Sequence, residues 1–366
     1  MSGNVLEIMH KNRRVAKIDM SGRCKIYYKS FMPFSLYLEE TENDIDTLVN
    51  NITNFYHWCA SRILTLDRQY AKAILNSIGA SQAFTDKERA GIALTYRCLS
   101  LTDIYWVRQK KEKISFDEVN LYENHLDNAL VDVSLKGKQL TVHNEHLENE
   151  FAKDLSTNGC FPKAWIRNND NFQLYKDGGR EVVENEILAS KVCQCFDCKQ
   201  VTYTLGEYDG EPVSVSDIMT TKERSIVSRE AFEIYAVNKE IDPMKYILKL
   251  DAYSFYMMNI LDYLVGNVDR HWGNWGFLID NQKNKPLCLH PLMDFNQSFQ
   301  AYDTIEGARC QTVLPLHISQ KEAAVQAVKK IGLHQIAAID PVWFAGKEKE
   351  YEMLQDRLYI LKTYAK

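Results

Sequence analysis

The sequence has no long apolar run. Its longest candidate, Phe255 to Val265, is interrupted by Asn259 and Asp262 and is too short to cross a bilayer, so no membrane span is expected. Met1 to Asn12 hold no apolar signal core. Neither charge sign dominates: 44 Lys and Arg stand against 49 Asp and Glu. The net charge of -5 gives no basic field of the kind that binds nucleic acid without sequence preference, so direct nucleic-acid binding is not expected. No repeat of fixed period and no Pro-, Gly- or Ser-rich linker marks a clean boundary. The nine cysteines are odd in number and irregular in spacing, which argues against a disulfide framework and for reduced thiols in a cytoplasmic setting.

What is present supports a sizeable core. With 366 residues and 45% hydrophobic content, the chain can build two or three lobes. Val5 to Ile8 and Val15 to Ile18 read as strands around a Lys11-Asn12-Arg13 turn, and Lys25 to Tyr28 follows Ser21-Gly22. From Asp44 to about Arg108 apolar residues recur at helical spacing, as at Ile45, Leu48, Val49, Ile52 and Phe55. After Ser156 the texture changes to strands, Ala164 to Ile166 and Phe172 to Lys176, then a helix from about Val182 to Phe196, then strands at Val201 to Leu205 and Pro212 to Val215. Beyond Thr220 helices dominate. Tyr246, Ile247, Leu250, Tyr253, Met257, Leu261 and Leu264 share one face of a long helix that should end at Gly266-Asn267. The tail from Ser319 to Tyr364 is again helical around Pro341. The expectation is an α+β fold: a strand subdomain over 1–42, a helical accessory region over 43–148, a nucleotide-covering lobe over 149–220 and a helical catalytic lobe over 221–366.

Between that long helix and an apolar strand, Gly276 to Ile279, stands the polar loop Gly266 to Asn274. Asp269 and Asn274 have four residues between them, the separation found in kinase catalytic loops, where the Asp orients the acceptor hydroxyl and the Asn holds magnesium. A hairpin turning at Asn281 to Lys285 then delivers Asp294-Phe295-Asn296, parallel to the Asp-Phe-Gly that supplies a second metal ligand. Phosphoryl transfer requires neutralised phosphate oxygens, and Mg²⁺ takes a few hard oxygen ligands while keeping several waters. One carboxylate, Asp294, and one amide oxygen, Asn274, suffice. Lys176, at the end of an apolar strand, is the candidate to grip ATP phosphates; Glu186 is its candidate partner, with Glu184 in reserve because helix phase alone does not choose between them. Ser156 to Lys163 forms a small-residue turn whose amides could cover phosphates, and adenine is expected near Ser216 to Met219, with Ile218 among its contacts. Neither G-x-G-x-x-G nor G-x-x-x-x-G-K-[ST] occurs, so the chain is neither an ordinary eukaryotic protein kinase nor a P-loop enzyme.

At these residues the chain resembles the HipA-like kinases, CtkA-type stand-alone forms included, a branch near the phosphatidylinositol-kinase-like superfamily. Asp269 to Asn274 has the D-R-H-x-x-N form of the phosphatidylinositol-kinase-like loop and, with Asn267, fits the HipA-like N-x-D-x-H-x-x-N. Leu289 to Asp294 is similar to L-x-P-L-x-D, Ser156, Gly159 and Lys163 fit the S-x-x-G-x-x-x-K phosphate loop, and Asn185-Glu186 fits the helix signature. The resemblance implies a two-lobed Ser/Thr protein kinase using ATP and Mg²⁺, with Asp269 as base, Asn274 and Asp294 on the metal, and Lys176 on phosphate. It also makes Ser156 a candidate autophosphorylation site whose modification ejects the loop, and an antitoxin-type partner follows by family analogy alone. Asp-Arg-His stands where Asp-Asp-His is common in HipA, which makes His271 a second candidate for the base.

Other motifs carry less. Cys193, Cys195 and Cys198 lack a second ligand pair at zinc-finger spacing and read as small hydrophobes. His143 and His146 lack the H-E-x-x-H spacing. Trp58, Tyr105 and Trp106 read as core, while Trp272 and Trp275 either pack under the loop or line the cleft. Two rival functions stay open: a lipid or small-molecule kinase with the same nucleotide site, and a pseudokinase or binding module. The lack of a basic or amphipathic membrane-facing segment weighs against a lipid acceptor. The presence of Asp269, Asn274, Asp294 and Lys176 together weighs against a pseudokinase.

Overall fold

A computed structural model describes residues 5–63, 85–124, 163–168, 171–208, 210–300, 302–313 and 318–365. The chain begins as a meander, β1 (Val5–His10), β2 (Arg13–Asp19) and β3 (Cys24–Ile26), whose first turn places Lys11 at φ 50°. Helix α1 (Ile45–Ala60) starts where Asp44 accepts a hydrogen bond from the Thr47 N–H at 3.2 Å, and α2 (Asp86–Thr95) starts with a reciprocal Thr85–Glu88 capping box. Strand β4 (Tyr105–Gln109) then returns to pair with β1, giving an antiparallel sheet in the order β3-β2-β1-β4. The helical reading of Asp44 to Arg108 therefore fails at its end. Tyr105, Trp106 and Val107 suit a pleated, half-buried surface, and the Trp106 indole N–H reaches the Lys11 carbonyl at 2.7 Å, a tertiary contact that decides the local conformation. Ile8, Val15, Phe55, Trp58 and Trp106 fill the core of this first unit. Each fully buried side chain of this size stabilises by roughly 1.5–3 kcal/mol or more.

The next sheet is a separate four-stranded layer, with β5 (Lys163–Asn168), β6 (Asn171–Lys176), β7 (Thr204–Tyr208) and β8 (Glu211–Asp217) in the order β5-β6-β8-β7. Helix α3 (Arg180–Cys193) lies between β6 and β7 in sequence and buries Val183, Glu186, Leu188, Ala189 and Val192. The strand expected at Val201 to Leu205 begins only at Thr204. Upstream, the backbone is bound elsewhere: the Val201 N–H donates to the Leu292 carbonyl at 2.8 Å, and the Tyr203 N–H donates to Ser190 Oγ at 3.2 Å.

The remainder holds a strand that the sequence reading did not place, β9 (Arg224–Ser228), followed by α4 (Arg229–Asn238), α5 (Pro243–Val265), β10 (Gly276–Asp280), β11 (Lys285–Leu289), α6 (Gln320–Ile331) and α7 (Glu348–Tyr364). The strands form a sheet in the order β11-β10-β9. Gly276 is required there, because a Cβ would lie 2.1 Å from the Val227 carbonyl oxygen. Helix α5 breaks at Asp251, whose carboxylate caps Ser254 through Oδ1 at 3.1 Å and takes the Leu289 N–H through Oδ2 at 3.0 Å, tying the helix to the hairpin. The helix stops at Gly266 in the left-handed region, with φ 60°. Phe232, Phe277, Met257, Ile260 and Leu261 lie in the core beneath, with the Phe232 and Phe277 rings 4.4 Å apart. Trp275 belongs to the same core, as do Cys193 and Cys195.

The first unit grips both other parts. Phe172 of β6 belongs to its core, with Trp165 and Ile218 packed against it. The Arg167 guanidinium donates to the carbonyls of Leu121, Tyr122 and Asn124. On the other side, Asn284 at the tip of the β10–β11 hairpin donates to the carbonyls of Ser30, at 2.9 Å, and Met32, at 3.2 Å, and accepts from the Tyr105 hydroxyl at 3.1 Å.

Candidate active site

Lys176 ends β6 and points into the space under the covering sheet, where it is 6% exposed. Its Nζ donates to Glu186 Oε1 at 2.8 Å and to Asp294 Oδ1 at 3.0 Å, with the Tyr203 hydroxyl at 3.4 Å. Glu186 is the partner because helix phase turns it inward; Glu184 faces solvent, paired with Arg180. The second Glu186 oxygen accepts from the Ser214 hydroxyl on β8, so both carboxylate oxygens are satisfied in a buried place. Burial opposes the charge of Lys176, but Asp294 and Glu186 outweigh it and hold its pKa well above the usual value.

Asp294 adopts φ 62°, an uncommon left-handed conformation for a residue with a side chain. Burial pushes its carboxyl up, yet the charges of Lys176, Lys163 and Arg270 dominate together and hold it below the ordinary carboxylate range. Lys163 reaches this balance from β5, where it lies directly across from Lys176. Ser156 and Gly159, the rest of the phosphate-loop expectation, lie outside the described residues, as do His143 and His146.

The loop after α5 is held by an arginine. Arg270 forms a bidentate pair with Asp262, Nε and Nη2 each at 2.9 Å, and donates through Nη1 to the carbonyls of Asn274, at 3.1 Å, and Met293, at 2.5 Å. Asn267 joins the same knot, donating to Asp262 Oδ1 at 3.1 Å and to the Asp294 carbonyl at 3.4 Å. Asn274 donates its amide to the Asp269 carbonyl at 2.8 Å, which closes the loop. Among the described residues, Asn274 Oδ1 and Asp294 Oδ2 accept no protein hydrogen bond; one amide and one carboxylate oxygen are thus left as hard donors, a set that fits a divalent ion of the Mg²⁺ kind.

The Asp269 and His271 side chains face the opening, at 43% and 53% exposure, with His271 Nε2 4.0 Å from Asp269 Oδ1. Burial pushes the Asp269 carboxyl up, His271 pulls it down, and Asp294 adds to the rise. The His271 Nδ1 accepts from the Gly273 N–H at 3.0 Å, which orients the ring with Nε2 toward Asp269. Trp272 is partly buried against the core that holds Phe232 and Phe277, and the Arg229 guanidinium stacks 4.4 Å over its ring.

Ser216 is buried on β8 opposite Leu174, and the Ile218 N–H is already committed to the Phe172 carbonyl at 2.9 Å. Ile218 is thus joined to the sheet rather than left as a free donor for a ligand. Asp262, Arg270, Tyr203 and Ser214 were not singled out from the sequence. Asp262 left one trace, as a charge inside an otherwise apolar helix run; Tyr203 and Ser214 left none.

No protein-family profile and no curated protein sequence matches the chain. Solved structures do. The Helicobacter pylori proinflammatory kinase CtkA aligns at 16% identity over 53% of this chain and 89% of its own, with a TM-score of 0.41. HipA from the Shewanella oneidensis MR-1 toxin–antitoxin system, solved with HipB and operator DNA, aligns at 11% identity over 98% of this chain and 91% of its own, with a TM-score of 0.54. Along nearly its whole length, this chain has an α+β, HipA-like kinase fold.

Proposed function

We propose that the chain is an ATP- and Mg²⁺-dependent kinase that transfers the γ-phosphoryl group to Ser or Thr hydroxyls of a protein. One observation carries this reading: Lys176 joins Glu186 and Asp294 in a buried triad immediately beside the loop that presents Asp269 and Asn274. In this reading Lys176 and Lys163 face the phosphates, and Asn274 and Asp294 hold Mg²⁺, which supplies charge neutralisation at the transferring phosphoryl group. Asp269 orients the acceptor hydroxyl and takes its proton, with His271 stabilising the carboxylate from 4.0 Å. Ser216 lies on the adenine side, and the segment containing Ser156 and Gly159 covers the phosphates. Positioning and electrostatics, rather than a covalent intermediate, provide the rate enhancement. A reducing compartment is part of the reading, because Cys59, Cys98, Cys193 and Cys310 are buried as free thiols.

The test is incubation of the purified chain with γ-labelled ATP, Mg²⁺ and a generic protein acceptor, beside Asp269→Asn and Asp294→Ala. Label on protein with the wild type and with neither variant is the expected result, and mapping starts at Ser156. Label only on lipid or small-molecule acceptors would replace the protein acceptor. Nucleotide binding without any transfer would replace the kinase with a pseudokinase. An antitoxin-type partner rests on the likeness to HipA alone.

A further inference from the structure

We infer that Tyr203 is a positioning residue that holds Asp294 in its ligand-presenting conformation; this rests on the reading of Asp294 as a metal ligand. The left-handed backbone of Asp294 persists only if its surroundings determine it more strongly than its own preference opposes it. Three contacts do so. The Asp294 N–H donates to the Tyr203 hydroxyl oxygen at 3.1 Å, its Oδ1 pairs with Lys176 at 3.0 Å, and its carbonyl accepts from Asn267 at 3.4 Å. The contact from Tyr203 is the only one of the three that grips the backbone N–H.

Tyr203 is itself held on several sides. Its own N–H donates to Ser190 Oγ on α3, the helix that also carries Glu186. Its ring meets Phe295 edge-on with centroids 6.4 Å apart, and Lys176 Nζ lies 4.9 Å from the ring centroid. The hydroxyl oxygen therefore faces two donors at once, Lys176 Nζ and the Asp294 N–H. One buried side chain thus reports the placement of α3 to the phosphate-side lysine, to Asp294 and to the residue after it. A phenyl ring in its place would keep the packing on Phe295 and the face toward Lys176, and would lose only the acceptor.

The experiment compares wild type with Tyr203→Phe in three readouts. The first is amide hydrogen exchange of a peptide covering residues 290–298 without metal or nucleotide, the second is Mn²⁺ affinity by electron paramagnetic resonance without nucleotide, and the third is transfer from labelled ATP. An unpaired Asp294 N–H should exchange about tenfold faster or more and Mn²⁺ binding should weaken by about tenfold, while exchange in the Pro243–Val265 helix stays at the wild-type rate. Unchanged exchange, unchanged Mn²⁺ affinity, or faster exchange spread over that helix as well would each overturn the inference. A wild type that binds no Mn²⁺ would overturn it together with the metal-ligand reading. A wild type that shows both shifts against Tyr203→Phe but transfers no phosphoryl group would sink the proposed kinase activity alone.

Discussion

Lys176 Nζ and Asp294 Oδ1 lie 3.0 Å apart although the two residues are 118 positions apart in sequence. The pair joins the β5-β6-β8-β7 sheet to the segment behind the Gly266 to Asn274 loop, and it does so in a place closed to water on most sides. Glu186 completes the arrangement, so one cation is shared by two carboxylates. That shared charge sets the first expectation.

Lys176→Met leaves Glu186 and Asp294 buried with no cation between them. Breaking a buried pair in this way costs about 3–5 kcal/mol, and transfer should fall by about 100-fold or more. Urea denaturation and the labelled-ATP assay check the two halves. Loss of transfer with undiminished stability would mean that the triad does not hold the lobes together.

The Arg270–Asp262 pair separates stability from activity. Arg270→Met or Asp262→Leu alone strands a buried charge and should lower stability by about 3 kcal/mol. The double variant should recover most of that loss, because two apolar side chains replace two charges. Transfer should stay low in the two variants that lack Arg270, since Arg270 also holds the Asn274 and Met293 carbonyls. Unfolding curves of the three variants beside the wild type decide this.

Two buried histidines give the protein an acid-sensitive stability. Burial, aided by Arg13, pushes His10 down to about 4; burial, aided by Arg270, pushes His290 down to about 4. Above pH 6.5 both are neutral folded or unfolded and exact no penalty. Below it the unfolded chain takes up protons that the folded chain refuses, so stability falls as pH drops toward 4. Between pH 7 and pH 5 each should cost about 2 kcal/mol. His290→Gln should remove about half of that loss, measured as unfolding free energy at the two pH values.

Asn284 joins the β10–β11 hairpin to the first unit at φ 51°. Asn284→Ala loses the hydrogen bonds and keeps a Cβ in the left-handed region, and should cost about 2–3 kcal/mol. Asn284→Gly loses only the hydrogen bonds and should cost less. Hydrogen exchange of residues 281–289 reads both. Equal losses would assign the whole effect to the hydrogen bonds.

The candidate site was legible where chemistry fixes both residue type and spacing. Asp269, Asn274, Asp294, Lys176 and Glu186 are such positions, and the structure brings them together. Arg270 lay inside a recognised motif, but its task depends on where α5 ends, which sets Asp262 opposite it. Tyr203 was hidden because a lone tyrosine in a strand-like run carries no pattern; only folding places its hydroxyl against Asp294. The same limit applies to the fold. The long helix and its glycine cap were readable from apolar spacing and a left-handed stop, whereas β9 is a five-residue run with polar ends and β4 continues what looks like helical spacing. In both cases the deciding partners are far away in sequence: β10 for β9, and β1 for β4.

Phe172 lies on a strand of the covering sheet yet is buried in the core of the first unit, beside Trp165 and Ile218. The strand hairpin that carries Lys163 and Lys176 therefore cannot finish packing until the N-terminal meander and its helices have formed. A shortened chain beginning at residue 163 would lay bare an aromatic patch on the sheet that carries Lys163 and Lys176. Such a fragment should aggregate or need a chaperone.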